Sequence, residues 1–370
     1  MSPLQNPALP KGSLVLVTGA NGFLGSHVAD QFLHYGYNVR ATVRDPVKHA
    51  WYADLFEKKY GKGRFELIQV DDMAKDGAFD EAIKGVQVFV HTASVMTFDP
   101  DPKNVIPQVI AGVLNALKAA YAEPSVKRFV FTSSSAAVVT SHPDVPPIVA
   151  TDDTENEWAV KRAWSEPPYP ADHGARVYEA SKTQAEQELW KFHRENRSKR
   201  PDLVVNTVLP NLVFGRSLDP VRQGYLSSGG LIPALWNGDV LPFHKAQNPR
   251  KSKPLLMLLT QLWLLTFIPE YFVDVQDVGR LHVIGALFEK VKDQRLFGFA
   301  DRFSWDKILD IMRKQEPNRK FPDNFFGGED PHEIPPRHKA EQLLKELGLP
   351  GWTSLEDSIS YNLEALRATS

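Results

Sequence analysis

Three glycines at three-residue spacing, Gly19, Gly22 and Gly25, follow the first apolar run of the chain, where its first helix-like segment begins. The run before them, LVLVT at 14–18, is short and uninterrupted, which is typical of a strand covered on both faces. After them, apolar residues recur at helical spacing as far as Tyr35. Flexible residues at this junction indicate either a plain turn or a backbone that must come very close to a ligand.

Strand-like and helix-like segments alternate through the first half of the chain. The predicted strands lie at 14–18, 38–43, 64–70, 86–94, 126–134 and 203–210. The predicted helices lie at 23–35, 76–85, 105–122 and 177–196. This rhythm, interrupted only by an irregular excursion over 139–174, predicts an α/β fold of the Rossmann type, with a doubly wound parallel sheet.

In this setting the glycines have a defined purpose. The helix that follows the first strand of such a sheet holds a dinucleotide pyrophosphate at its N-terminus. Gly19 would make the tight turn, Gly22 would let the backbone approach the pyrophosphate, and Gly25 would let helix and strand pack together. The pattern therefore predicts dinucleotide binding, with a purely structural turn as the alternative.

The second half of the chain is less regular than the first. We predict a dinucleotide-binding domain over 1–206, to which a strand and helix at 271–291 return. The remaining segments, 207–270 and 292–370, are predicted to form a smaller, irregular C-terminal lobe that binds the substrate.

Basic residues at the end of the second strand favour NADP(H) over NAD(H). An acidic residue at this point would bind the ribose 2′-hydroxyl, but Arg40 and Arg44 bracket the strand end and Lys48 follows. A guanidinium grips a phosphate by a two-point fork, which suits the 2′-phosphate. Asp45 precedes a proline and is predicted to cap the next element. Ordinary surface charge is the alternative interpretation.

Composition narrows the function classes further. The net charge of −2 and the absence of basic, aromatic-studded blocks argue against nucleic-acid binding. With no cysteine, the chain has no disulfide, no thiolate catalysis and no Cys-type zinc site, and its eleven histidines show no metal-type spacing. No apolar signal-like segment opens the sequence, so we predict a cytoplasmic protein.

A tyrosine and a lysine four residues apart, Tyr178 and Lys182 in YEASK, lie one turn apart on one helix face. A neighbouring ammonium lowers the pKa of a phenol, so such a tyrosine can donate a proton to a carbonyl oxygen near neutral pH. The pair follows a serine-bearing strand end, FTSSS at 131–135, from which a hydroxyl could polarise the same oxygen.

The combination of TGANGFLG, FVFTSS and YEASK resembles the extended (atypical) short-chain dehydrogenase/reductases. VRATVRDP, FDEAIKG, ASKTQAE and VLPNLVFG resemble its dihydroflavonol-reductase-like branch, and within it the fungal and yeast NADPH-dependent aldehyde/carbonyl reductases. The resemblance covers nearly the whole chain. It implies NADPH-dependent reduction of aldehydes or ketones to alcohols, with Tyr178 as proton donor, Lys182 lowering its pKa and holding the nicotinamide ribose, and Ser134 polarising the carbonyl.

The resemblance also assigns the residues that contact the cofactor. They are Gly19, Asn21, Gly22, Phe23, Leu24, Gly25, Arg44, Lys48, Asp72, Met73, Ala93, Ser94, Thr132, Tyr178, Lys182, Pro210 and Leu212. One position departs from many relatives: Val109 stands where they place an asparagine of a proton relay, three residues before Gly112. Rival functions on the same scaffold are a hydroxysteroid dehydrogenase, a nucleotide-sugar epimerase and a non-catalytic dinucleotide-binding regulator.

An apolar stretch between Pro254 and Pro269 is too short to span a bilayer, which takes about 20 residues, so we predict no stable membrane insertion. Core helix, membrane-surface anchor and pocket wall are the competing interpretations. Because the stretch follows the sixth strand, it belongs to the lobe over the carboxyl ends of the strands, where ligands bind. We predict that some of Leu259, Trp263 and Phe267 contact a bulky, hydrophobic carbonyl substrate.

Overall fold

The computed structural model describes residues 4, 6–140, 145–170, 172–239, 270–325 and 327–368. Its strands are β1 (Leu14–Thr18), β2 (Asn38–Val43), β3 (Phe65–Gln69), β4 (Val88–His91), β5 (Arg128–Thr132), β6 (Val204–Pro210), β7 (Leu212–Phe214), β8 (Glu270–Asp274), β9 (Arg295–Gly298) and β10 (Asp301–Phe303). Seven strands form one sheet in the order β3-β2-β1-β4-β5-β6-β9, and every neighbouring pair in it is parallel. The other three form a small sheet in the order β10-β8-β7.

Helices cover both faces of the main sheet. They are α1 (Phe23–His34), α2 (Trp51–Tyr60), α3 (Pro102–Ala122), α4 (Glu157–Ala163), α5 (His173–Asn196), α6 (Leu231–Trp236), α7 (Val275–Leu287), α8 (Trp305–Gln315), α9 (Arg337–Glu346) and α10 (Leu355–Arg367). Side chains of one strand alternate between the two faces: Val15 and Val17 pack in one core with α1 and α7, whereas Leu16 packs in the other with α3 and α5. The predicted doubly wound parallel sheet is confirmed.

The strand order reverses between β1 and β4. In an open parallel sheet, the crevice at such a switch point, outside the carboxyl ends of the strands, is where ligands bind. The switch point places the glycine turn after β1 beside the residues that follow β4. Thr18 joins the two ends, because its hydroxyl accepts hydrogen bonds from the backbone N–H groups of Thr92 and Ala93, both at 3.0 Å.

Segment 76–85 is not the predicted helix but a series of turns. Asp80 donates a backbone hydrogen bond to Gly77 at 3.1 Å and Ile83 donates one to Phe79 at 2.9 Å. Gly77 and Gly85 both have positive φ, at 73° and 72°, which interrupts a regular helix. The apolar spacing that suggested a helix is satisfied all the same, because Phe79 and Ile83 are buried in the core under α3.

The segment at 271–291 divides between two parts of the fold. Its strand, β8, does not join the main sheet as predicted but pairs with β7 and β10. Its helix, α7, packs against α1 and against β5 and β6 of the main sheet. The strand that completes the main sheet is β9, from the segment predicted to lie wholly in the substrate lobe; it pairs with β6 from Arg295 to Gly298.

Candidate active site

A cavity of about 1060 Å³ lies at the carboxyl ends of the main-sheet strands. Its walls come from the glycine turn after β1, the ends of β2 to β6, the first half of α5, the loop at 224–228 and the start of β8. The cavity therefore combines the switch point of the sheet with the helix that carries Tyr178 and Lys182.

Nearly every residue predicted from the sequence lines this cavity. The lining includes Gly19, Asn21, Gly22, Phe23, Leu24, Gly25, Arg44, Asp72, Met73, Ala93, Ser94, Thr132, Ser134, Tyr178, Lys182, Pro210 and Leu212. Lys48 is absent from it. Leu259, Trp263 and Phe267 lie outside the described residues, so the predicted apolar pocket wall stays a prediction.

The glycine turn has the close packing that glycine alone permits. Gly19 has a φ of +62°, in the left-handed region. A Cβ atom on Gly25 would lie 2.4 Å from the carbonyl oxygen of Gly19 and 2.8 Å from Oγ1 of Thr92. The first turn of α1 is thereby held against the ends of β1 and β4, and its free N–H groups are available to an anion in the cavity.

Of the basic residues after β2, only Arg44 lines the cavity. Its exposed side chain makes no hydrogen bond or ion pair with another residue of the described ranges. Arg40 is instead engaged elsewhere, with Nε donating to Glu66 at 2.6 Å and Nη1 donating to two backbone carbonyls at 2.9 Å. Asp45 caps a turn rather than a helix, because its carboxylate accepts the backbone N–H of Lys48 at 2.9 Å and α2 begins only at Trp51.

Ser134, Tyr178 and Lys182 meet at the centre of the cavity. Ser134 lies two residues beyond β5 in an extended conformation, and its hydroxyl accepts the N–H of Ala136 at 3.2 Å. It is also close enough to the Tyr178 hydroxyl to lower the pKa of that group. The Nζ of Lys182 lies 5.9 Å from the centre of the Tyr178 ring. Phe98 packs against the same ring, with ring centres 5.3 Å apart, and so limits its movement.

Burial governs the protonation of this pair. It raises the pKa of the Tyr178 hydroxyl, while the interaction with Ser134 lowers it. It lowers the pKa of Lys182 to about 8, while the carboxylate of Glu186 opposes this change. The sequence predicts a lowered pKa for Tyr178, but burial raises it instead, because desolvation destabilises the phenolate.

A glutamine that the sequence did not single out connects the glycine turn to the second half of the chain. Nε2 of Gln223 donates to the carbonyl of Gly22 at 3.1 Å and to the hydroxyl of Ser26 at 3.0 Å. Its Oε1 accepts the hydroxyl of Ser217 at 2.7 Å. The loop that continues from Gln223 lines the cavity over 224–228, so Gln223 attaches this wall of the cavity to the glycine turn.

Three acidic residues of the lining were also missed, Asp71, Glu179 and Glu270. Glu179 follows Tyr178 directly and is buried, where it accepts two hydrogen bonds from Arg176, each at 3.0 Å. The helical spacing of apolar residues in α5 gave no reason to expect a carboxylate in the cavity. Glu270 belongs to the small sheet, whose strand pairing cannot be predicted from local periodicity.

Comparison with known proteins identifies the family. A profile of the NAD dependent epimerase/dehydratase family matches residues 15–235, more than half of the chain. The chain belongs to this family. The match runs from β1 to α6 and so includes the glycine turn, the Tyr178–Lys182 helix and the loop that carries Gln223. The family-level resemblance that the motifs indicated is confirmed.

Individual proteins of known name resemble the chain over nearly its whole length. Aldehyde reductase 2 of Sporidiobolus salmonicolor is 39% identical over 97% of this chain and 97% of its own. Ketoreductase adrE of Penicillium rubens is 37% identical, over 97% of this chain and 98% of its own. The crystal structure of Gre2 from Candida albicans in complex with NADPH superposes with a TM-score of 0.75, at 25% identity, and covers 97% of this chain and 100% of that one.

Proposed function

We propose that this protein is an NADPH-dependent reductase that converts aldehydes or ketones to alcohols, with Tyr178 as the proton donor, Lys182 beside it and Ser134 polarising the carbonyl. The observation that carries the proposal is the meeting of Ser134, Tyr178 and Lys182 in the same cavity as the glycine turn. The similarity to an aldehyde reductase and a ketoreductase over nearly the full chain supports the reaction class.

The residues of the cavity suit a dinucleotide. The glycine turn would hold the pyrophosphate, and Ala93, Ser94, Pro210 and Leu212 would enclose the nicotinamide half. The guanidinium of Arg44, which has no partner among the described residues, would bind the 2′-phosphate. When bound, the reduced nicotinamide supplies a hydride to the substrate carbonyl carbon.

The chain's own residues then complete the reaction. Ser134 donates a hydrogen bond to the substrate carbonyl oxygen, which increases the positive charge on the carbon. As charge develops on that oxygen, the Tyr178 hydroxyl transfers its proton to it, and the alcohol forms. The Lys182 ammonium, buried with Nζ near the ring, stabilises the phenolate that results. Phe98 holds the Tyr178 ring in place between these steps.

The lining disfavours the nucleotide-sugar alternative. An epimerase would need several cations for the diphosphate of its substrate, in addition to those that hold the cofactor. Among the described residues of the lining, the cations are Arg44 and Lys182, and both already have a role. The substrate end carries the acids Glu179 and Glu270 instead.

NADPH consumption, followed at 340 nm, tests the proposal directly. The wild type is incubated with a panel of small aldehydes, β-ketoesters, aryl ketones and ketosteroids, and each reaction is repeated with NADH. Faster oxidation of NADPH with aldehydes or aryl ketones than without substrate is the expected result. Activity confined to ketosteroids would favour the hydroxysteroid dehydrogenase, and tight NADPH binding without turnover of any carbonyl would favour the regulator.

A further inference from the structure

Glu270, the first residue of β8, places a carboxyl group in the cavity that contains Ser134 and Tyr178. Among the residues that the structure describes, none donates a hydrogen bond to this carboxyl group or forms an ion pair with it. The reaction described above gives it no role. A polar group in a substrate cavity without a protein partner points to a partner on the substrate.

The two carboxyl groups whose charges act on Glu270, those of Glu179 and Asp330, are satisfied by the protein. Glu179 accepts both hydrogen bonds of Arg176 and a third, at 2.9 Å, from the hydroxyl of Thr140. Asp330 is buried and accepts the backbone N–H of His332 at 2.8 Å. Glu270 is therefore the acid of this group whose hydrogen-bonding capacity is left open towards the cavity.

Three influences favour the neutral form of Glu270. Burial raises its pKa well above the usual range, and the charges of Asp330 and Glu179 raise it further. A neutral carboxylic acid donates one hydrogen bond and accepts others. Its position is close to the chemistry, because a charge on Glu270 raises the pKa of Tyr178.

A hydroxyl group on the substrate is complementary to a neutral carboxylic acid, because each of the two groups can both donate a hydrogen bond to the other and accept one from it. An ammonium group would instead require the carboxylate, and a methyl group would leave the acid without a partner. A site with a buried hydrogen-bonding group discriminates strongly against the analogue that lacks the matching group.

We propose that Glu270 is a specificity-determining residue that selects carbonyl substrates carrying a hydroxyl group at a distance from the reacting carbonyl. The proposal rests on the reductase function proposed above and narrows its substrate class from bulky carbonyl compounds to hydroxylated ones.

The experiment compares matched substrates in matched variants. The substrates are 4-phenyl-2-butanones whose ring carries a hydroxyl, a methyl or an aminomethyl group at position 2, 3 or 4. The variants are Glu270→Gln, which keeps a neutral donor and acceptor, and Glu270→Leu, which removes both. Glu195→Leu is the control, because Glu195 is exposed on the distal part of α5 and does not line the cavity.

For the wild type we expect kcat/KM for one hydroxyl isomer to exceed that of its methyl counterpart by about tenfold, the effect of one good hydrogen bond. Glu270→Gln and the Glu195 control should keep this ratio, and Glu270→Leu should reduce it to about one. Equal ratios in the wild type and Glu270→Leu, or a preference for the aminomethyl isomers, would overturn the proposal.

A binding measurement separates this proposal from the proposed function. The alcohol products of the hydroxyl-substituted and the methyl-substituted ketones are titrated by calorimetry into wild type and Glu270→Leu, each saturated with NADP⁺. If no ketone is reduced, the reductase function fails; a tenfold affinity ratio that disappears in Glu270→Leu would still support the Glu270 assignment. An equal affinity for both alcohols in the wild type would refute it.

Discussion

The carboxylate of Glu186 accepts a hydrogen bond at 2.7 Å from the hydroxyl of Ser133, the residue directly before Ser134. Its other oxygen accepts the hydroxyl of Thr207 at 2.8 Å and Nε of Arg295 at 3.0 Å. Glu186 thus joins the end of β5 to β6 and β9 from a position one turn beyond Lys182 on α5. It is a positioning residue for the strand end that carries Ser134.

Glu186 also stabilises the charge of Lys182, because its carboxylate raises the pKa of that ammonium group. The Lys182 ammonium, with a pKa lowered to about 8 by burial, loses its proton as pH rises through that value, so kcat/KM should fall above pH 8. Glu186→Gln removes the negative charge that raises this pKa, and the decline should start roughly one pH unit lower. The measurement is kcat/KM between pH 6 and 10 for wild type and variant.

Glu188→Gln is the matched control for this pH profile, because Glu188 lies on the same helix but pairs with Lys191 at 3.4 Å, away from the cavity. Its profile should equal that of the wild type. A Glu186→Gln variant that loses activity equally at every pH would show that Glu186 acts only on the geometry of the strand end.

Removal of the Tyr178 hydroxyl tests the proton donor. Tyr178→Phe keeps the ring, and with it the packing against Phe98, but it has no proton to give. We expect kcat to fall by about 10²–10⁴-fold, the usual contribution of a general acid, with the dissociation constant of NADPH unchanged within about twofold. The two quantities are measured by steady-state kinetics and by NADPH fluorescence. A variant that retains more than about a tenth of the wild-type kcat would exclude Tyr178 as the acid.

Arg44 is predicted to determine cofactor choice. Arg44→Ala removes a charge-assisted contact worth about 1.5–3 kcal/mol, so KM for NADPH should rise by about one to two orders of magnitude. KM for NADH should change little, because NADH lacks the 2′-phosphate. Arg40→Ala is the control, since Arg40 is engaged with Glu66 outside the cavity. Equal losses with both cofactors would mean that Arg44 supports the fold instead.

The dinucleotide half of the site could be predicted from the sequence because local pattern specifies it. A buried strand, a glycine turn and an amphipathic helix follow one another within residues 14–35, and the parallel sheet aligns the ends of successive strands. Residues that follow β1, β4, β5 and β6 therefore meet at one edge without any knowledge of long-range pairing. The proximity of Tyr178 and Lys182 could be predicted in the same way, because residues four apart lie on one face of a helix.

The substrate half could not be predicted in the same way. Glu270 enters the cavity only because β8 pairs with β7 and β10, contacts between segments far apart in the chain. Local alternation placed that strand in the main sheet, where β9 lies instead. Gln223 likewise lies in a loop without periodicity, and its partner Gly22 stands 201 residues earlier in the chain. Such contacts follow from tertiary packing, which pattern does not encode.

Three buried histidines are predicted to limit the stability of the fold at acidic pH. His27, His91 and His282 are fully buried, and burial lowers their pKa to about 4, 3 and 4. His282 donates from Nδ1 to the carbonyl of Val278, so its Nε2 accepts the hydroxyl of Thr132 at 2.7 Å, and protonation would break that contact.

Between pH 6.5 and about 4 the unfolded chain binds protons at these histidines and the folded chain does not, so stability falls as pH falls. At pH 5 each histidine with a folded-state pKa near 4 should lower the free energy of unfolding by about 2 kcal/mol relative to pH 7. His282→Gln keeps an acceptor for Thr132 but does not titrate, so its loss of stability between pH 7 and pH 5 should be smaller than that of the wild type by about 2 kcal/mol. Urea unfolding at the two pH values measures the difference, with His338→Gln as an exposed control expected to match the wild type. An unchanged pH dependence in His282→Gln would show that this histidine does not contribute to acid unfolding.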